Sequence, residues 1–148
     1  MSSAIITINT GQQITTQYNL EKLFLWGNRY ENDNYVNNFS YSTITLLAGT
    51  VMGRVASTGV LIPSTASAVD GSQYPIGVLA RDIVNLAAGA TQLCALCIAG
   101  DISAPLLIFT FGDTLDTVVN GRRYRDRIQA DSAGIVLRGR TEMTGFDN

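Results

Sequence analysis

The stretch from Leu47 to Ala80, LAGTVMGRVASTGVLIPSTASAVDGSQYPIGVLA, constrains the fold more than any other part of the chain. Three apolar runs of strand length, TVMGRVA, GVLIP and YPIGVLA, are separated by the turn signals Ser57-Thr58-Gly59 and Val69-Asp70-Gly71-Ser72. Short apolar runs bounded by Gly, Asp and Ser predict consecutive antiparallel strands. Val51, Gly53 and Val55 would share one face and Met52 and Arg54 the other, a half-buried pattern that Ile76 and Val78 repeat after Pro75. Proline at the first position of a strand suits a sheet edge.

The rest of the chain attaches to that unit. Thr91 to Ala99 is apolar on both faces, which predicts a strand covered on both sides, either a central core strand or an oligomer contact. Ser42 to Leu47 and Ala133 to Leu137 supply further strands, and Leu106 to Phe111 is a last strongly apolar run bounded by Pro105 and Gly112. Asn19 to Gly27, NLEKLFLWG, has an N-cap residue, good helix formers and a closing glycine, so a short helix is expected over 20–26. Leu115, Val118, Tyr124 and Ile128 have helical spacing broken by Asn120-Gly121, which predicts a broken or bent helix over 113–129. A chain of 148 residues buries roughly 70% of the surface its unfolded form exposes, enough for one core.

Three features bear on contacts. Ile5, Ile6 and Ile8 alternate imperfectly with Ser and Thr in a terminal segment that has no nearby hairpin partner, so it is either a frayed end or a strand donated to another subunit's edge. Between Tyr18 and Tyr41 lie seven of the chain's twelve aromatic residues, among them Trp26, Tyr30 and Tyr35, interleaved with asparagine. Such a segment is either a core flap or a docking surface. Arg122, Arg123, Arg125 and Arg127 crowd into six residues, to be read as a solvated face with local ion pairs or as a contact for an acidic partner.

Much familiar chemistry is absent from the chain. It has no histidine, so histidine-based nucleophile activation and histidine metal ligation are excluded. The single lysine, Lys22, has no glycine-rich loop before it, which removes a P-loop. Cys94 and Cys97 point to opposite faces of a strand, which argues against a disulfide between them and favours two buried thiols in a reducing compartment. With 15% charged residues and a net charge of −2, the chain lacks the basic field of a nucleic-acid binder. No stretch reaches the roughly 20 apolar residues of a membrane span, and no export signal is visible. The expectation is no catalytic residue, no metal and no cofactor, with a carboxylate-only hydrolase left as a distant rival.

The central residues carry a resemblance. Ala48-Gly49-Thr50-Val51-Met52-Gly53, then Thr58-Gly59, then Ala68-Val69-Asp70-Gly71-Ser72-Gln73, then Ile76-Gly77-Val78-Leu79 are similar in order and spacing to the head-decoration (capsid cement) proteins of tailed bacteriophages. The resemblance is good over 42–99 and weak to Leu137, and it leaves 11–41 unmatched. It implies a mainly β protein, with a small β-barrel-like (β-tulip) domain over 42–138 with one or two short helices and an extended N-terminal arm over 1–17; the residues themselves add an aromatic extension with a short helix over 18–41 and a tail over 139–148. It further implies a homotrimer on the outer surface of an expanded capsid at local three-fold positions, made in the host cytoplasm. Its partners would be the major capsid protein and itself, with neither nucleic acid nor membrane. Ile5, Ile6 and Ile8 would anchor the arm, and Trp26, Tyr30, Tyr35, Arg122, Arg123 and Arg125 would offer interfaces. The alternative is a head-fibre or glycan-binding module of the virion whose aromatic rings stack on sugars.

Overall fold

The structure is a computed structural model that describes residues 22–132 and 134–139. In chain order the elements are β1 (Phe24–Asn37), β2 (Ile44–Leu46), β3 (Val51–Arg54), β4 (Leu61–Pro63), β5 (Pro75–Leu79), β6 (Ile83–Leu86), β7 (Thr91–Ser103), a 3-10 turn (Ala104–Leu106), β8 (Val118–Val119), β9 (Arg122–Arg123), α1 (Tyr124–Asp131) and β10 (Ile135–Arg138). They belong to one unit, Leu23–Arg140.

The central stretch folds as its turn signals indicate. β3 pairs antiparallel with β4 and with β5, and β5 continues onto β7. The sheet order is β1, β4, β3, β5, β7, and β1 then pairs with β7 as well, which closes a five-stranded barrel. The seam between β1 and β4 is a single parallel pair, Val36 with Leu61. Against β7, by contrast, β1 runs antiparallel from Phe24–Ile102 to Asn37–Thr91. β10 adds in parallel to the far end of β7, beyond β5.

One face of all five barrel strands supplies a shared core. Val36, Met52, Leu61, Leu79, Cys94, Leu96 and Ile98 meet there, and Leu46, Ile83 and Leu86 of the β2–β6 pair join them. Burying each such side chain contributes roughly 1.5–3 kcal/mol. The opposite face of β3, β5 and β7 presents Val51, Val78, Cys97 and Ile102, which are covered by Ile128 of α1, Ile135 of β10, and Leu107 and Phe109 of the segment after the 3-10 turn. β3 is therefore buried on both faces rather than half-buried. Cys97 and Ile102 share a face despite their odd spacing because Gly100, at φ 104°, resets the alternation. A Cβ at Gly100 would also lie 2.6 Å from Asn28 Cα.

Three sequence expectations need correction. The helix over 20–26 is absent from residue 22 on, and from Phe24 the chain is strand, because pairing with β7 satisfies more backbone groups than two isolated helical turns could. The helix over 113–129 is instead a β8–β9 hairpin followed by α1. Asn120 and Gly121 take φ values of 47° and 82°, the left-handed pair of a tight hairpin turn. The apolar run Leu106 to Phe111 forms a strap held to the start of β3 by the bridge of Thr50 with Ile108 and by Val51 N–H donating to Ile108 O. Pro75 does open a strand, but that strand lies between β3 and β7 and not at an edge.

Candidate interaction surface

β1 and β7 pair from Phe24–Ile102 to Asn37–Thr91, and β1 carries the three aromatic residues singled out from the sequence. Trp26 is 47% exposed, Tyr30 42% and Tyr35 54%, so none is a core residue. Trp26 pairs in register with the buried Asp101 of β7. Arg138 Nε and Nη2 donate to Asp101 Oδ2 at 2.9 and 2.8 Å, and the guanidinium lies over the Trp26 ring at 6.0 Å. One cation thus ties β10 to β7 and holds the indole against it. Tyr30 meets Phe24 edge-on with ring centroids 5.6 Å apart. Burial, and secondarily Cys97, raise its phenol above the ordinary range. Tyr35 sits directly across from Leu93, itself 52% exposed.

The arginine run is built differently. Arg123 lies 3.7 Å from Asp116 and 3.6 Å from Asp126, and Arg125 lies 3.2 Å from Asp116. Arg127 donates to the carbonyls of Val119 and Asn120 and lies over the Tyr74 ring at 5.1 Å. Arg123 and Arg125 thus make local ion pairs, and these exposed pairs are each worth only about 0.2–1 kcal/mol. Arg122 is exposed on β9 with no side-chain bond among the described residues. The arginines and the three aromatics lie on different elements, and no contact joins the two groups among the described residues. Ile5, Ile6 and Ile8 lie outside the described residues.

Sequence reasoning missed a groove. Two adjoining clefts of about 500 and about 290 Å3 share Asn32, Arg81 and Ala95. The groove runs over Leu93 and Ala95 of β7, with Tyr30 and Asn32 of β1 on one wall and the link between β5 and β6 on the other. Thr91 to Ala99 was expected to be covered on both faces, but only from Cys94 onward is it buried. The available signal was Thr91-Gln92, polar residues at the start of an otherwise apolar run. Cys94 and Cys97 are both buried and unbridged on opposite faces, as their spacing indicated.

The family model for bacteriophage lambda head decoration protein D matches residues 7–121. That match takes in 11–41, which the sequence resemblance had left out, and stops at Gly121. No curated protein matches the chain.

Proposed function

The chain belongs to the bacteriophage lambda head decoration protein D family, and from that premise we propose that it is a structural cement which binds an expanded capsid from outside as a homotrimer at local three-fold positions. A place on the virion capsid, with the major capsid protein as partner, follows from the family itself. The observation that carries the reading is the family match over 7–121 together with the closed barrel it covers. The mechanism is mass action. A ligand that binds only the assembled, expanded lattice stabilises it by about 2.7 kcal/mol per site at a hundredfold excess over Kd. Trimerisation presents three N-terminal segments together, so that weak contacts are reinforced by effective concentration. On this reading Ile5, Ile6 and Ile8 anchor that segment to the shell, and the protein is synthesised in the host cytoplasm. It transforms no substrate, holds no metal or cofactor, and contacts neither nucleic acid nor membrane.

The test combines native mass with addition to purified expanded shells. A particle of three chains that saturates shells, and a variant lacking Met1 to Gly11 that stays trimeric but no longer adds, is the expected result. A truncated chain that adds with unchanged occupancy rules out the arm. The glycan-binding alternative has one observation in its favour, the half-exposed ring of Trp26. Trp26 is the chain's only tryptophan, so its fluorescence reports directly on sugar titrations, and a flat response removes that alternative.

A further inference from the structure

The groove over β7 has an open strand edge along one side. Val78–Cys97 and Leu79–Leu96 are the register pairs between β5 and β7, and the Ala80 N–H then donates to Ala95 O at 2.9 Å. After Ala80 the chain turns away through Arg81 and Asp82 to β6. Alternate residues of a strand aim their backbone groups at the same edge, so Leu93 presents its N–H and C=O where Ala95 presents its own. Asn38 N–H bonding to Ala90 O from the β1 side fits this parity. No strand pairs with Leu93 on the groove side among the described residues.

The groove's side chains suit an extended peptide. Leu93 and Ala95 form an apolar floor, and Asn32 and Gln92 at its margin make no side-chain hydrogen bond among the described residues. Arg81 is exposed on the wall with no ion pair or hydrogen bond among the described residues, and Asp82 beside it accepts from Ala48 N–H at 2.7 Å. The wall therefore carries a guanidinium with no ion pair among the described residues, beside a carboxylate bonded to Ala48 N–H, above an apolar floor and a free backbone edge. By contrast, the outer edge of β10 is closed. Ile135 N–H is taken by Ser132 Oγ at 3.0 Å and Leu137 N–H by Gln129 Oε1 at 3.2 Å.

We propose that this groove takes an extended segment of the shell protein as an added strand beside Leu93, with an apolar side chain over Leu93 and Ala95 and a carboxylate against Arg81. The proposal rests on the cementing reading and adds a receiving site to it, separate from the N-terminal segment. The unpaired guanidinium of Arg81 offers one carboxylate of the added strand a partner, and the main-chain bonds supply affinity without demanding much of its sequence.

The experiment measures addition of the full chain to purified expanded shells for the unaltered protein, Arg81→Glu and Leu93→Asp, with native mass and thermal midpoint recorded for each. Both side chains are exposed, so the variants should fold, and Ser57→Glu serves as a charge control in the exposed turn between β3 and β4. The expected outcome is a loss of shell affinity of about tenfold or more for both groove variants, with native mass unchanged and the control unaffected. Unchanged affinity of the two groove variants overturns the proposal. So does a drop in their native mass, which would assign the groove to a second copy of this chain. If the unaltered protein does not add to shells, the cementing reading fails first and the proposal with it. To keep the test independent of these two side chains, Ala95→Trp fills the floor and must also block addition.

Discussion

Gly53 shows how a single residue decides whether this barrel can close. A Cβ there would lie 2.2 Å from the carbonyl oxygen of Ser72, so the Asp70-Gly71-Ser72 turn can cross β3 only over a bare backbone. The turn is held by its own bonds, since Asp70 Oδ1 accepts from Ser72 N–H at 3.0 Å and from Ser72 Oγ at 2.6 Å. Gly53→Ala is therefore expected to destabilise the fold by about 2 kcal/mol, in the range of overpacked cores, and a urea midpoint equal to that of the unaltered chain would refute this. Cys94 makes a prediction about pH. Burial pushes its thiol up from 9.0 to about 11, with the nearby Arg54 guanidinium pulling the other way. The unfolded chain releases that proton at lower pH than the folded one. The stability gained by keeping the thiol neutral is thus complete below about pH 9 and is lost as pH rises toward 11. Cys97 and Tyr124 are shifted upward by burial too and act in the same alkaline direction. Thermal midpoints of Cys94→Ala should fall less steeply across that window, and identical slopes would count against the account.

Among the elements, those with period-2 apolar patterns and clear turn residues were legible, and those whose identity depended on a partner were not. β3, β4, β5 and β7 could be read because Val, Ile and Leu runs between Gly and Asp have few other uses. β1 was misread as partly helical because Leu20 to Trp26 has good helix formers, and only the long edge of β7 shows why extension wins. The Asn120-Gly121 dipeptide was read as a helix interruption when it is also the strongest short hairpin signal, and the two-residue strands β8 and β9 were too short to register. α1, at eight residues, is short for a helix, and it persists because Tyr124 and Ile128, four residues apart, are both buried against the barrel. The capped edge of β10 gives the prediction at this scale. Changing Gln129 and Ser132 together to alanine frees the amides of Leu137 and Ile135, and light scattering should then detect species heavier than the native oligomer. A variant as monodisperse as the parent would show that these bonds do not guard the edge.

Taken as a whole, the molecule is organised by β7, which pairs with β1 along one edge and with β5 and β10 along the other. The barrel's weakest join is the single pair between Val36 and Leu61. Hydrogen exchange should therefore find the amides of Leu96 and Cys97 protected to the level of global unfolding, while the amides of β1 that face away from β7 exchange orders of magnitude faster. Equal protection on both edges of β1 would mean that this strand is covered by something further. The amino-acid sequence by itself determined the strand grammar from Leu47 to Ala80, the opposed cysteines and the absence of histidine chemistry, because these depend on residue type and on neighbours two or three positions away. The tertiary structure alone decided that β1 closes the barrel, that Arg138 stacks on Trp26 and that a groove opens beside Leu93. Each of these needs at least one approach between residues more than fifty positions apart, Trp26 to Asp101, Trp26 to Arg138 and Asn32 to Leu93, and no local pattern records where a distant strand will come to lie.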